Sequence, residues 1–274
     1  MNTGQLLDTE PLMGLRFVTL TQQELVNALS HAVAKRLNGV ERLNRVESAP
    51  SDEQPLFIVT ANAEIVMRAR RDAGYRRILH EADVIVPDGI GVVLAARLLG
   101  RRIPERIAGI DLMQALIARA EAEEWRVFFL GARPEVLPRA IAGVQKRHPK
   151  LIIDGHHGYF GPEQEAAILQ RIAAFRPALL FVGLGVPKQE QWIVRHRAHL
   201  PAVLAMGVGG SFDVLGGAVR RAPLPWRRLG LEWLWRLKEE PWRARRMAAL
   251  PRFALLAVAV RLGLAREEPG RRSL

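Results

Sequence analysis

The chain has 274 residues, of which 49% are hydrophobic and 25% charged, a balance typical of a folded globular protein rather than a disordered one. Its 40 Lys and Arg outnumber its 28 Asp and Glu, so the formal net charge at pH 7 is +12. There is no cysteine, which excludes disulfide scaffolds, thiolate zinc sites and cysteine nucleophiles. This length fits one large domain or two small ones.

Two sequence features bear on the cellular compartment. The first residues, MNTGQLLDTEPLMG, do not form a basic segment followed by an apolar one, so no signal peptide is predicted. No run of 18 apolar residues occurs, so no ordinary membrane-spanning helix is predicted. Together with the lack of cysteine, this pattern fits a protein of the reducing cytosol.

The positive charge is concentrated near the C-terminus. Residues 220–274 contain 14 Lys and Arg and 5 Asp and Glu, a net charge of +9, which leaves +3 for residues 1–219. The same segment holds four of the six tryptophans, namely Trp226, Trp233, Trp235 and Trp242. We therefore predict an N-terminal segment (1–55), a nearly neutral body (56–219) and a basic, Trp-rich C-terminal appendage (220–274). Such an appendage needs an anionic partner: nucleic acid, anionic lipid or a phosphorylated substrate.

In chain order, the body alternates short apolar runs with longer amphipathic ones. The predicted strands are residues 56–60, 84–86, 127–130, 151–153, 179–182 and 203–206. The predicted helices are residues 63–72, 90–99, 110–123, 134–147, 162–175 and 188–199. Alternating strands and helices indicate a parallel sheet, and continuously apolar strands fit burial on both faces. We predict an α/β fold with a Rossmann-like, mostly parallel sheet that has helices on both faces.

Outside the body the predicted elements are fewer. Residues 41–54 are polar, with Pro and Ser, and are predicted to form a loop within a partly looped N-terminal segment. The appendage is predicted to be helical over 226–247, with an interruption at Pro241. Residues 251–264 form an apolar stretch too short to span a bilayer, which predicts an interfacial or a packing helix. Residues 267–274 are predicted to be frayed.

Small and polar side chains follow nearly every predicted strand, which is where ligands bind in open α/β sheets. Thr60 and Asn62 follow the first strand and can either cap the next helix or hydrogen-bond a polar substrate such as a sugar. Asp88 directly ends the apolar second strand. That position suits a general base, although Pro-Asp-Gly is also an ordinary turn.

Three strand exits are rich in glycine, which lets backbone N–H groups approach a phosphate closely. The candidate nucleotide-binding residues at these exits are Gly131, Gly183, Gly185, Lys188, Gly207 and Gly209. None of the loops matches G-x-G-x-x-G or G-x-x-x-x-G-K-[ST] in full. Tight turns alone therefore remain an alternative explanation of these glycines.

No metal or cofactor site is predicted. His196 and His199 are three residues apart on a predicted helix, but no third ligand is evident and H-E-x-x-H does not occur. No Asp-x-Asp pair is present to hold a divalent cation against a diphosphate. A bound diphosphate would then have to be neutralised by basic side chains and backbone donors.

The appendage offers such basic side chains. Arg236, Arg243 and Arg246 lie along one side of a helix if Pro241 only bends it, and guanidinium groups suit phosphate oxygens. A solvated basic face is the alternative. The interleaved tryptophans argue against it, because Trp with Arg is typical of membrane interfaces and nucleic-acid surfaces.

A set of ordered motifs resembles one family of bacterial enzymes. They read T-A-N-A-E-I, A-D-V-I-V-P-D-G-I-G-V, E-R-I-A-G-I-D-L, H-G-Y-F, G-L-G-V-P-K-Q-E-Q-W, G-V-G-G-S-F-D-V-L-G-G and R-A-P. In that order, from about Phe57 to Arg246, the chain resembles the WecG/TagA/CpsF family of glycosyltransferases. The resemblance implies an inverting, metal-independent enzyme that moves a sugar from a UDP-sugar to a sugar on polyprenyl diphosphate. It also implies a peripheral location at the inner face of the cytoplasmic membrane, in surface polysaccharide synthesis.

The resemblance further implies roles for single residues. The matching positions are Thr60, Asn62, Asp88, Arg106, Gln189 (with Gln191 as the other candidate) and Asp213. Among them, Asp88 matches the catalytic base, Thr60 and Asn62 lie beside the reaction centre, and Asp213 lies near the nucleotide. Arg106 and the glutamine match substrate-binding residues. The arginines of the appendage are expected to reach the acceptor diphosphate and to help the protein meet the membrane.

Two other classes of protein fit parts of the pattern. A nucleotide-dependent oxidoreductase of the Rossmann type would need a complete glycine fingerprint and an acidic ribose partner. A basic nucleic-acid-binding protein would use the appendage and leave the polar strand exits without a role. N-acetylmannosamine, its uronic acid and glucose are all candidate donor sugars, and the oligomeric state is open.

Overall fold

The computed structural model describes residues 7–43, 54–239, 241 and 244–267. An antiparallel hairpin opens the chain, formed by β1 (Thr9–Leu12) and β2 (Leu15–Val18). Its two-residue turn has positive φ at both positions, which matches the twist of antiparallel strands. Helix α1 (Gln22–Leu43) follows. Neither the hairpin nor this helix was predicted from the sequence. The loop predicted at 41–54 overlaps α1 at residues 41–43. Residues 44–53 of that predicted loop lie outside the described residues.

The body contains the predicted strands and helices, with small shifts at their ends. The strands are β3 (Leu56–Ala61), β4 (Val84–Pro87), β5 (Val127–Gly131), β6 (Ile153–His156), β7 (Leu179–Gly183) and β8 (Leu204–Gly207). The helices are α2 (Ala63–Arg71), α3 (Ala73–His80), α4 (Ile90–Leu98), α5 (Gly109–Ala122), α6 (Leu137–Arg147), α7 (Pro162–Phe175), α8 (Lys188–His196) and α9 (Ser211–Leu215). A short 3-10 turn, Arg197–His199, follows α8. Two of these helices, α3 and α9, were not predicted from the periodicity.

Strands β3 to β8 form one six-stranded parallel sheet, so the predicted α/β fold class is confirmed. The strand order is β4-β3-β8-β7-β5-β6. Every residue of β4, β5 and β8 is buried, which explains why these strands are continuously apolar. The chain leaves β5 towards β6 but leaves β7 towards β8, so the strand order reverses between β5 and β7. In open α/β sheets such a reversal marks the crevice where ligands bind.

Strand β6 differs from its prediction. It begins two residues later than the apolar run 151–153, and its pairing with β5 runs from Ile153 to His156. As an edge strand with one neighbour, it tolerates polar residues on its half-exposed face, so the apolar run does not mark its position. Ile152 is instead 45% exposed.

The described part of the appendage contains four helices: α10 (Leu224–Arg228), α11 (Glu232–Glu239), α12 (Ala244–Met247) and α13 (Ala249–Arg261). The single interrupted helix predicted at 226–247 is therefore divided into three. Helix α13 corresponds to the predicted helix 251–264, and the tail predicted to be frayed is described only at Glu267. Among the described residues, no helix combines the length and the apolar character needed to cross a membrane.

The chain forms two compact units. The first unit comprises Met1–Thr21, Val59–Gly109 and Ala218–Leu274, and the second comprises Gln22–Ile58 and Ile110–Gly217. In the first unit α13 packs against α2 and α4 and buries Phe253. The Glu267 carboxylate also accepts the N–H of Met13 at 2.8 Å and pairs with Arg101 at 3.0 Å. In the second unit the core is formed by aromatic residues of the central strands, among them Phe129 and Phe181. The three-part division at residues 55 and 219 stays a prediction.

Candidate functional site

Asp88 lies at the carboxyl end of β4, in the first unit. Its backbone N–H donates to the carbonyl of Ala61 at 3.0 Å, so the exit of β4 is fixed beside the exit of β3. Gly89 then turns the chain into α4 with a φ of 132°, a conformation that other residues rarely adopt. The Asp88 side chain is half-buried.

Opposing electrostatic effects act on the Asp88 carboxyl. Burial disfavours the charged form and is the largest effect; it raises the pKa of Asp88 from 3.8 to about 6. Arg106 and Arg236 lower the pKa, as does the backbone N–H of Gly109, while the like charge of Glu232 raises it. A carboxyl with a pKa near 6 is a stronger base than an ordinary aspartate and still ionises at neutral pH.

Two arginines and a glutamate form a bridged network next to Asp88. Glu232 accepts from Nη1 of Arg106 at 3.3 Å and from Nε of Arg221 at 3.4 Å. All three side chains are at most 17% exposed. The backbone N–H of Ile107 donates to Pro87 at 3.0 Å, which holds the Arg106 segment against the end of β4.

The structure describes the three candidate arginines of the appendage to different extents. Arg236 is half-buried in α11 and, with Arg106, lowers the pKa of Asp88. Arg246 lies in α12, but its side chain and the whole of Arg243 lie outside the described residues. Helix α11 is held by Trp235, whose ring packs edge-on against Trp226 at 5.9 Å and whose Nε1 donates to the carbonyl of Arg220 at 3.3 Å.

Thr60 and Asn62 lie at the exit of β3, in the same unit. Asn62 caps α2, because its side chain accepts the N–H of Ile65 at 3.1 Å. Of the two roles considered from the sequence, the capping role is thus filled. Thr60 lies against Gly109, where an added Cβ would come within 3.0 Å of the threonine side chain. Gly109 in turn donates to Asp88, so the described candidates of this unit lie together.

The glycine-rich candidates belong to the second unit and meet at the reversal of strand order. Gly131 ends β5 with a φ of 144°, and a Cβ there would lie 2.5 Å from the carbonyl oxygen of Gly183 at the end of β7. Only glycine fits such an approach. A Cβ on Gly183 would in turn lie 3.0 Å from the carbonyl oxygen of Gly209. The backbone segments at the ends of β5, β7 and β8 are therefore packed closely together.

A buried glutamine connects α8 to the loop after β8. Gln189 is 3% exposed; its Oε1 accepts the N–H of Gly209 at 3.0 Å and its Nε2 donates to Glu190 at 2.7 Å. Its amide also packs on Gly207. Gln191, the other candidate, is exposed on α8. This placement favours Gln189 as the site glutamine.

The remaining candidates of the second unit are less enclosed. Lys188 is exposed at the start of α8, Gly185 precedes it with a φ of 80°, and Asp213 is half-buried in α9.

The two histidines considered as metal ligands have other surroundings. His196 forms a hydrogen bond with Glu165 at 3.0 Å and packs on the Trp192 ring, while His199 is exposed. The described part of the chain contains no group of three or more His, Asp or Glu placed to hold a metal ion.

Three residues near the candidate site residues were given no role from the sequence: Glu232, Arg221 and Glu190. A weak signal existed for the first, since Glu232 precedes Arg236 by four residues and both therefore lie on one face of a helix. Arg221 belongs to the R-A-P motif but was given no role. Arg221 and Arg106 both contact Glu232, although the two arginines are more than 100 residues apart in the sequence. Local sequence spacing does not reveal such a contact.

Comparison with known proteins agrees with the motifs. The sequence profile described as "Glycosyl transferase WecG/TagA/CpsF family" matches residues 11–267. The match thus includes most of the N-terminal segment and of the appendage, beyond the 57–246 range of the motifs. A Bacillus spizizenii protein (strain W23) is 39% identical over 248 residues, which cover 90% of each chain. Its name is N-acetylglucosaminyldiphosphoundecaprenol N-acetyl-beta-D-mannosaminyltransferase.

Staphylococcus aureus proteins with the same name are similar too. Those of strains MW2 and NCTC 8325 are 41% identical over 198 residues, which cover 72% of this chain and 78% of theirs. The family match spans nearly the whole described chain, and the relatives are named as enzymes of one activity. The chain is therefore a glycosyltransferase and belongs to the WecG/TagA/CpsF family.

Proposed function

We propose that this enzyme transfers N-acetylmannosamine from a UDP-sugar to N-acetylglucosamine carried on a polyprenyl diphosphate, with inversion at the anomeric carbon and without a metal ion. The acceptor and the transferred sugar are those in the names of the relatives. The observation that carries the proposal is Asp88: a carboxyl at a strand exit whose pKa is raised by burial and which is close enough to Arg106 and Arg236 to feel their charges.

In the proposed reaction, Asp88 takes the proton of the acceptor hydroxyl while the hydroxyl oxygen forms a bond to the anomeric carbon. The bond from that carbon to the UDP oxygen breaks, and UDP leaves with the electron pair. Burial supports this role, because it brings the pKa of Asp88 to about 6, close to the working pH. A single displacement of this kind inverts the configuration of the anomeric carbon.

Negative charge develops on the leaving diphosphate and has to be stabilised. The glycine exits of β5, β7 and β8 in the second unit carry no side chains, so a phosphate can come close to the backbone N–H donors around them. We assign Gly131, Gly183, Gly185, Gly207 and Gly209, with Lys188 and Asp213, to the nucleotide. Gln189 supports this assignment by fixing the Gly209 loop. Metal independence rests on these donors and on the absence of an Asp-x-Asp pair from the sequence.

The appendage is proposed to bind the lipid-linked acceptor at the inner face of the cytoplasmic membrane. Arg236 lies in the first unit with Asp88, and Arg243 and Arg246 follow it in the sequence. Helix α13 has an exposed apolar stripe formed by Leu255, Val258 and Leu262, with exposed fractions of 70%, 45% and 66%. An apolar stripe next to basic residues is typical of helices that lie in a membrane interface.

The experiment that tests the proposal measures the product directly. The protein is incubated with N-acetylglucosaminyl-diphosphopolyprenol and, separately, UDP-N-acetylmannosamine, UDP-N-acetylmannosaminuronic acid and UDP-glucose. Mass spectrometry should show one added N-acetylhexosamine with the first donor, and NMR of the product should show a β-linkage. Product with another donor only, or no product with any of the three, would contradict the proposal. Asp88→Asn serves as the negative control.

A further inference from the structure

Glu232 occupies an unusual position for an acidic residue. It is the first residue of α11, it is 9% exposed, and its two carboxylate oxygens contact two different arginines, Arg106 and Arg221. Arg106 comes from the segment after α4, and Arg221 precedes α10. The contact therefore joins three separate stretches of the first unit at one carboxylate.

We propose that Glu232 is a positioning residue for the transfer: by bridging Arg106 and Arg221 it holds α11, and with it Arg236, beside Asp88. This inference rests on the proposed function of Asp88 as the base. In this arrangement an acidic residue holds the appendage beside Asp88. It acts in addition to the basic residues that the family resemblance implies.

Charge balance supports the proposal. Arg106, Arg221 and Arg236 would repel one another in a partly buried cluster, and Glu232 supplies a compensating negative charge. The bridge uses one nitrogen of each of its two arginines, whereas a guanidinium carries five N–H donors. Glu232 can thus hold Arg106 in place while the other guanidinium nitrogens of Arg106 keep N–H donors of a kind that phosphate oxygens bind.

Glu232 also acts on Asp88 itself. Among the described residues, the groups that influence the Asp88 carboxyl are Arg106, Arg236, Glu232 and the N–H of Gly109. Among the charged ones only Glu232 raises the pKa, since its negative charge disfavours a second one nearby. An ion pair elsewhere in the unit would not change the pKa of Asp88. Titration of Asp88 therefore distinguishes a positioning role of Glu232 from a purely structural one.

The test compares Glu232→Gln with Glu239→Gln. Both remove one negative charge from α11, but Glu239 is exposed and lies at the other end of the helix. The Asp88 carboxyl is titrated by ¹³C NMR, with its resonance identified through Asp88→Asn. We expect the pKa of Asp88 to rise in Glu232→Gln, because Arg236, whose lowering effect exceeds the raising effect of Glu232, is then no longer held beside Asp88. Glu239→Gln should titrate like the wild type.

The kinetic arm uses the wild-type activity as its reference. In Glu232→Gln the acid limb of the kcat–pH profile should move to higher pH together with the Asp88 titration. A fall or no change of the Asp88 pKa in a folded Glu232→Gln variant would overturn the inference, because it would show that Arg236 stays beside Asp88 without Glu232. The NMR arm needs no turnover, so it decides about Glu232 even if the wild type fails to make the proposed product.

A second variant keeps the inference testable if Glu232→Gln does not fold. Glu232→Asp keeps the charge but shortens the side chain by one CH2, which should break the simultaneous contact with both arginines. We expect the KM for the lipid-linked acceptor to rise at least several-fold while the KM for the donor stays the same. An acceptor KM equal to that of the wild type would overturn the inference.

Discussion

Asp88 combines two properties that favour catalysis and oppose stability. A half-buried carboxylate is less well hydrated than an exposed one, and the nearby arginines only partly compensate for this, since the pKa of Asp88 remains raised to about 6. A native state that binds this proton more tightly than the unfolded chain loses stability as the pH rises. The residue that makes the site reactive therefore weakens the fold at neutral pH, as is common at active sites.

Replacing Asp88 by Asn should lower turnover by roughly 10²- to 10⁴-fold, the usual contribution of a positioned general base. The amide has nearly the same shape but cannot accept the proton. UDP binding, measured by titration calorimetry, should be the same as in the wild type. Equal turnover of the two proteins would remove Asp88 from the mechanism.

The same substitution should have a pH-dependent effect on stability. The folded-state pKa of Asp88 lies near 6 and the unfolded value near 3.8, so the cost of ionisation is absent below pH 4 and complete above pH 6. Thermal melting of Asp88→Asn and the wild type should agree at pH 4, and the variant should melt higher at pH 7–8. A difference that is largest at pH 4 would contradict the raised pKa.

Turnover should survive EDTA, since arginines and backbone donors are proposed to take the charge of the diphosphate. Activity is measured after chelation and again after Mg²⁺ or Mn²⁺ is added back. Loss of turnover with EDTA and its recovery with either cation would show that a metal is required.

At the scale of elements, the appendage helix α13 is apolar on two opposite sides. One side buries Phe253 and Ala257 in the first unit, and the other exposes Leu255, Val258 and Leu262. The exposed residues follow the i, i+3, i+7 spacing of one helix face, with the exposed Arg252 and Arg261 elsewhere on the helix. Both alternatives predicted for this stretch, packing and interfacial binding, thus have a side of the helix available to them.

The exposed side of α13 can be tested separately from the buried one. Leu255→Gln with Val258→Gln should reduce binding to anionic vesicles in a sedimentation assay, because apolar area that would enter the membrane interface is lost. The melting temperature should stay the same, since both side chains are exposed. Ile152→Gln, an exposed apolar position of the second unit, is the matched control. Unchanged vesicle binding in the double variant would exclude the stripe as a membrane contact.

Sequence periodicity predicts buried elements better than marginal ones. Strands such as β5 and β7 were predicted correctly because burial on both faces requires a continuous apolar run. Helix α1 was missed although Leu25, Leu29 and Val33 follow a helical spacing and are buried. In the candidate site, Asp88 and the glycines could be predicted from strand exits. Glu232 could not be assigned its role, because its contacts depend on tertiary structure.

At the scale of the molecule, the appendage is both the most basic segment and a structural part of the first unit. It carries +9 of the net charge of +12, yet α13 packs against α2 and α4. Deleting residues from Arg220 onward would therefore expose apolar surface of α2 and α4 as well as remove charge. Point substitutions on the exposed side are the better test of membrane binding.

Vesicle binding by the full chain should decrease steeply as salt increases from 50 to 500 mM, because each basic residue near an anionic surface contributes about 1 kcal/mol and is screened by ions. Neutral phosphatidylcholine vesicles should bind much less at every salt concentration. Binding that ignores both salt and lipid charge would contradict an electrostatic contribution from the appendage.

The bond between the Met13 N–H and Glu267 gives the hairpin turn a partner that lies 254 positions away. Exchange of this amide hydrogen with deuterated solvent then depends on the C-terminal segment, because the hydrogen becomes available only when Glu267 departs. The rate of exchange at Met13 is consequently a readout of how often the end of the chain is released, and it can be followed with and without vesicles on an otherwise unaltered enzyme.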